Sequence, residues 1–570
     1  MSIYALPHRR ESTRFRTCPL TGVQVDMVAE QLIRANLSAA FFFLAVGGFG
    51  GLLLILTRWP VFHLLPSRWF YRILTLHGFD MINAWMVFFE IGALYFCGTA
   101  LLSTRLVAPR VAWGAFLLMG TGVLMVNGTI LAGLADVMFT AFVPLKAHPF
   151  FYVGNILFMM GALIALILFL VTLWNAWAEG KISGSLPLVV FGLAVADILG
   201  IYSLISGLFA FTMTLGWLLG WWGLPDPGIY RLMFWGFGHG TQQINLAATV
   251  SVWYLLAALV VGAVPLNEKL SRLAFVLYAF FVNLGSNHHL LVDPGFSFLW
   301  KVFNTSYAMY LAVLGSLIHA FTIPGAVEVS LRGQGHRQGW LGWLRRAPWT
   351  EPGFAALAVS MILFGWIGGV TGVTIGTEQI NLLVHNTLQV PGHFHAILVG
   401  GSTLAFMGLT YYLIPLIFQR PLRWKGLATA QIYIYGFGVA LFSVGFIAAG
   451  YMGVPRRHWD ITFAQAPFHG LFGDTVYLAL GIAGVGGLIA VAGGILFFIN
   501  LIIALLQPMD STGMTGGLRL QLPAGRSTAD PDLRDEPRGT FLLAVIFLLF
   551  FGIYYAANWV LLGSQPWSIH

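Results

Sequence analysis

Apolar residues fall in thirteen long runs, at 34–57, 74–102, 111–137, 151–176, 186–216, 230–264, 271–289, 302–325, 354–374, 392–418, 427–450, 475–506 and 539–562. A helix needs about 20 such residues to cross the hydrocarbon layer, so the pattern predicts an all-α, polytopic membrane bundle of about 13 transmembrane helices. Several runs exceed 25 residues, which implies tilted spans or helix ends projecting beyond the lipid. The expected organisation is a cytoplasmic tail over 1–33, a twelve-span core over 34–506, a polar cytoplasmic linker over 507–538 and a thirteenth span with a short tail over 539–570. Pro508, Gly513, Gly516, Gly517 and Pro523 mark the linker as a flexible connection. No internal repeat is evident.

Composition sharpens this picture. Of 570 residues 58% are apolar and 9% charged, against about 25% charged in soluble domains, which excludes a secreted enzyme, a nucleic-acid binder and a cytosolic protein. The net charge of +8 reports orientation. With the N-terminus in the cytoplasm, 21 of the 29 Lys and Arg fall on the inside and the positive-inside rule is met. Arg9, Arg10, Arg14 and Arg16 precede a long first span without a small-residue cleavage pattern, so it reads as an uncleaved anchor. The two cysteines, Cys18 and Cys97, lie far apart and outside any C-x-x-C pattern. That excludes a disulfide framework, a cysteine-rich metal site and a covalently attached c-type heme.

Candidate chemistry lies in the histidines. His77, His239, His288, His289, His393 and His395 all fall near the outer ends of their spans. A lone intramembrane histidine is often a packing residue, but a cluster of ionisable groups at one depth marks a functional site. Residues i and i+2 of a helix point about 200° apart, so His393 and His395 serve two different centres. His288 and His289 suit one metal only where a helix is ending, as span seven is. Three neutral imidazoles favour copper or zinc, whereas iron usually takes a carboxylate as well, so copper is favoured. His77 and His395 could ligate one heme from both faces, with His393 the single ligand of a second. Spacing alone leaves that assignment open.

The runs Leu74-Thr75-Leu76-His77-Gly78, Gly238-His239, Asn287-His288-His289 with Val292-Asp293-Pro294-Gly295, and Val384-His385-Asn386-Thr387 leading into Val390 to His395 resemble subunit I of heme-copper oxidoreductases. The B-type branch is most similar, helped by Pro348-Trp349, Pro352 and Val454-Pro455-Arg456-Arg457. The resemblance covers nearly the whole chain. It implies a low-spin heme on His77 and His395, a high-spin heme on His393, and a non-heme metal on His239, His288 and His289. Arg456 and Arg457 would pair with heme propionates, His385 would sit near one, and Phe394 would pass electrons between the hemes.

The sequence departs from the family at one decisive point. Oxygen reductases of this branch carry a tyrosine four residues after the first metal histidine, and it supplies the last of four electrons for dioxygen cleavage. Here that run is His239-Gly240-Thr241-Gln242-Gln243. Tyr254 lies about 22 Å further along the span, too far to substitute, while Tyr307 and Tyr310 of span eight stay open as replacements. Reduction of two nitric oxide molecules to nitrous oxide and water takes two electrons and needs no radical donor. Superfamily members that catalyse it lack the tyrosine, and the familiar iron type has glutamate where Gln243 stands. The expectation is therefore nitric oxide reduction, with Gln243 and Gln242 as site residues and Gln243 as a hydrogen-bond donor that cannot titrate; helix-to-helix hydrogen bonding is the plainer role for both. The alternative is a terminal cytochrome c oxidase reducing dioxygen in aerobic respiration. A transporter should show inverted repeats, and none is found.

Proton and electron supply complete the expectations. Asp80, Glu90, Asp136 and Asp197 are carboxylates in or near spans and candidate relays, with Asp293 and Glu378 in outer loops. The B-type hydroxyl ladder keeps Tyr254 but finds Ser316 one position out of phase, so few or no protons should be pumped. Without an electron-entry site, the chain implies a redox subunit II of dinuclear copper or cytochrome c type on the outer face, with cytochrome c or a similar donor. Its place is the bacterial cytoplasmic membrane, among lipids, with no nucleic acid.

Overall fold

A computed structural model describes residues 14–182, 184–509, 517–520 and 536–564. Among the described residues twelve helices are long and apolar enough to cross a membrane: α1 (Met27–Arg58), α2 (Ser67–Ala100), α3 (Pro109–Leu131), α4 (Pro149–Ala178), α5 (Leu188–Leu218), α6 (Pro227–Val261), α8 (Phe298–Gly333), α9 (Pro352–Gly376), α10 (Gln389–Phe418), α11 (Lys425–Tyr451), α12 (Asp474–Leu506) and α13 (Arg538–Gly563). The remaining predicted span, α7 (268–290), is composite. It runs as α-helix over Glu268–Leu277, π-helix over Tyr278–Val282 and 3-10 helix over Gly285–Leu290. In lipid every backbone polar group must be satisfied internally, and the irregular end of α7 is allowed because it faces protein. The expected thirteen elements are present in order, with twelve of them continuous.

Three boundaries differ from the hydropathy reading. α1 begins seven residues before the predicted span, so the expected 1–33 tail is shorter. Asp26 caps it by accepting from the Val28 amide, and Arg16 and Arg34 both pair with Glu30, at 2.7 and 2.6 Å. A polar first turn held by ion pairs is invisible to hydropathy. A hairpin of β1 (Phe15–Thr17) and β2 (Gln24–Asp26) precedes it. α2 also starts early, at Ser67, which sets His77 about two turns deeper into its helix than a span opening at 74 implies. α3 stops at Leu131, where Gly133 adopts φ +78° against the Arg72 guanidinium. Most of the predicted 507–538 linker lies outside the described residues.

Small residues set the helix crossings. A Cβ on Gly122 of α3 would meet the Gly154 carbonyl of α4 at 2.5 Å, and one on Gly438 of α11 would meet the Ala490 amide of α12 at 2.2 Å. Close backbone approach of this kind supplies dispersion contact where lipid removes the hydrophobic drive. Four π segments flank the histidines: Asp80–Trp85 follows His77, Tyr278–Val282 precedes His288, Ala396–Thr403 follows His395, and Leu363–Gly369 packs beside His393. Each adds a residue to a turn and rotates the helix beyond it, a distortion frequent at functional sites.

Candidate heme and metal centre

Backbone carbonyls aim the imidazoles. The Nδ1 atoms of His77, His288, His393 and His395 lie 2.8, 2.7, 2.9 and 2.7 Å from the carbonyls of Gly47, Gly285, Gly368 and Pro391. A carbonyl only accepts, so each Nδ1 carries the proton and leaves Nε2 free as a ligand atom. His239, His288 and His289 each present a nitrogen, and these atoms lie within 4.8 Å of one another. Neither His239 Nδ1 nor His289 Nε2 has a hydrogen-bond partner in the protein. Buried imidazole nitrogens without a partner, with no carboxylate in the group, fit a nitrogen-liking ion such as copper.

His77 and His395 face each other with ring centroids 6.2 Å apart and planes 8° from parallel. Metal–imidazole bonds of about 2 Å at each end place two such rings roughly 6 Å apart, so the pair fits an iron between them. Beside them is a cavity of about 620 Å³, lined by both rings, Gln242, Phe394, Arg58, Arg456 and Arg457, a volume typical of a sizeable ligand. Phe394 stacks on His395 at 4.6 Å. His393 points to the other side of α10 and lies within electrostatic reach of His239 and His288. One helix thus turns its two histidines to two places, His395 toward His77 and His393 toward His239 and His288.

At the rim, Arg58 donates to the Arg456 carbonyl at 2.7 Å, and the Arg457 guanidinium lies over the Phe142 ring. Among the described residues no carboxylate pairs with Arg58, Arg456 or Arg457. Burial, then repulsion from Arg457 and Arg58, holds the Arg456 guanidinium down to about 9. Burial first, then repulsion from Arg456, Arg231 and Arg457, holds the His385 imidazole down to about 4. Crowded cations of this kind fit an anionic ligand.

The region 31–472 matches the family described as Cytochrome C and Quinol oxidase polypeptide I. The chain belongs to this family. As a heme-copper oxidase subunit I it is 30% identical over 407 residues to cytochrome c oxidase subunit 1 of Thermus thermophilus, covering 70% of each chain. It is 25% identical over 490 residues to the Bacillus subtilis subunit, covering 82% of this chain and 73% of that one. A heme-copper terminal oxidase dimer solved by cryo-EM superposes with a TM-score of 0.80 at 25% identity, over 93% of this chain and 92% of the other. The family brings hemes and a copper centre, and the protein is a multi-pass membrane oxidoreductase subunit.

Other sequence-predicted residues fall differently. Gln243 is buried one turn below His239, and its Oε1 has no partner. Tyr254 bonds Ser271, Thr322 and His319 at 2.9, 2.8 and 3.1 Å, remote from the metal histidines. Tyr307 is 60% exposed and Tyr310 bonds Tyr555 at the surface, so neither replaces the missing phenol. Ser316 bonds Tyr278 at 2.9 Å, on α8 beyond the π segment Phe303–Ala308. Asp80 accepts twice from Asn127, and Asp136 lies exposed past the end of α3, so neither is a free intramembrane acid. Asp293 pairs with Arg231 and Glu378 with Lys301.

Sequence reasoning did not find Trp235, whose ring stacks on His289 at 3.6 Å and 5°. It also missed Gly51 and Gly372, where a Cβ would lie 3.0 Å from His77 Cε1 and 2.6 Å from His393 Cε1. Trp235 stands four residues before His239, the only signal available. The glycines gave none in so glycine-rich a chain.

Proposed function

We propose that this subunit reduces nitric oxide to nitrous oxide. In this reading His77 and His395 hold a low-spin heme, His393 holds a high-spin heme, and His239, His288 and His289 hold copper. Arg456 and Arg457 would pair with the propionates, and Phe394, between the two heme ligands, would pass electrons from one heme to the other. When bound, these groups carry the electrons and the gas. The chain's own residues do the rest. Carbonyls fix the imidazole tautomers of His77, His288, His393 and His395, Trp235 braces His289, and the Gln243 amide donates a hydrogen bond toward the nitrogen-oxide oxygen, with Gln242 at the cavity wall.

The observation that carries the reading is Gln243 itself. Two nitric oxide molecules, two electrons and two protons give nitrous oxide and water with no need for a phenol, and among the described residues no tyrosine ring packs on the three metal histidines. Dioxygen reduction to water by a terminal cytochrome c oxidase is the second reading, favoured by the names that the relatives carry. Cys18 and Cys97 are both buried and on different elements, which supports electron entry through a redox subunit II on the outer face, served by cytochrome c or a similar donor. The bacterial relatives support the cytoplasmic membrane as its place.

The purified complex, supplied with one donor, decides between the gases. Nitrous oxide formation is expected to exceed oxygen consumption by about tenfold or more, equal to at least 1.4 kcal/mol of barrier difference. Rapid, complete reduction of oxygen with little nitrous oxide would establish the second reading.

A further inference from the structure

Seven carboxylates are buried among the described residues: Asp26, Glu30, Asp80, Glu90, Asp197, Glu328 and Glu351. Five have partners in Arg14, Arg16, Asn127, Arg332 and Lys425. Glu90 and Asp197 do not. Both oxygens of Asp197 and Oε1 of Glu90 have no hydrogen-bond partner, and the same holds for both side-chain atoms of Asn83 and Asn245 and for Oε1 of Gln243. All five side chains are more than nine-tenths buried.

Their positions form a seam between α2, α5 and α6. Glu90 and Asn83 are two turns apart on one face of α2. Phe88 on that helix turns to Phe43 and Phe158, and Phe89 to Phe406, which leaves the Glu90 face for α5 and α6, both packed on α2. Across α5 and α6, Gly192 meets Ser251 and Gly200 meets Ile244, so Asp197 lies level with the turn below Asn245. Tyr95 on α2 is within electrostatic reach of Asp197. At 1.5 Å per residue, Gln243 lies about 6 Å inward of His239, Asn245 and Asn83 about 9 Å inward of His239 and His77, and Glu90 about 20 Å inward of His77. An unpaired carboxyl at this depth is costly, and buried polar atoms without protein partners are met by ordered water.

We propose that this seam is a hydrated route carrying protons from the inner half of the membrane to the metal centre, with Glu90 and Asp197 as the relaying acids and Asn83, Asn245 and Gln243 as the groups that hold its water. It is separate from the hydroxyl cluster at Tyr254. Both gases consume protons, so the test does not depend on which one is the substrate.

The intact complex in vesicles, with a pH dye inside, reads the route directly. Asp197→Asn and Glu90→Gln are expected to slow proton uptake from the inner side by about tenfold or more while leaving heme spectra unchanged, with Asp197→Glu restoring much of it and Asp136→Asn changing nothing. Uptake within twofold of native in both variants, or uptake abolished only by Tyr254→Phe, overturns the proposal. Should the variants fail to assemble, a cryo-EM map of the native complex decides: ordered water against Asn83, Asp197 and Asn245 is expected, and a dry seam overturns the route.

Discussion

At the residue scale the centre depends on imidazoles, four of them with Nδ1 tied to a backbone carbonyl, and on glycines that let the rings lie close. Gly372→Ala places a methyl 2.6 Å from His393 Cε1, closer than carbon atoms approach, so the ring must swing. Carbon monoxide binding to the reduced complex is expected to fall severely in this variant while the low-spin heme bands persist; normal binding would separate Gly372 from the centre. His385 gives a pH test. Its imidazole is held down to about 4 by burial, whereas the unfolded chain protonates near 6.5. Between those values the unfolded state binds more protons, so His385 makes stability rise with pH across the window and fall as pH drops through it. His385→Gln is expected to flatten Tm against pH between about 4 and 6.5, and an unchanged slope would contradict the assignment. The six histidines were legible in the sequence because polar groups stand out in apolar spans. Trp235 and the glycines were not, since an aromatic or a missing side chain looks like ordinary membrane sequence until the fold brings it against a ring.

At the element scale, close crossings hold the bundle. Gly122→Leu forces a side chain into the α4 backbone, whereas Gly120 on the same helix has open space around its Cα. The first change is expected to cost about 1–3 kcal/mol or more and lower Tm by several degrees, with Gly120→Leu near neutral. Equal effects in a thermal melt would refute the crossing argument. Hydropathy located all thirteen elements, because length and apolarity are what a bilayer demands. It missed the first turn of α1, where Glu30 is paired twice, and the breaks in α7. The π segment over Phe303–Ala308 of α8 was invisible for a related reason: periodicity assumes uninterrupted turns.

At the scale of the whole molecule, thirteen elements gather two kinds of polar order from lipid: a histidine layer near the outer side and two inward polar tracks, one at Tyr254 with Ser271, Thr322 and His319, the other through Asp197. The hydroxyl ladder that leads inward keeps Tyr254 but has Ser316 one position out of phase, so vectorial pumping is expected to be weak, and proteoliposomes should show little external acidification during turnover. Strong acidification would contradict this. The account stands or falls on two hemes of different character within one chain. Heme content with a carbon monoxide titration of the reduced complex tests it most directly: two hemes per chain are expected, one of which binds the gas. A single heme, or binding at both, would contradict it.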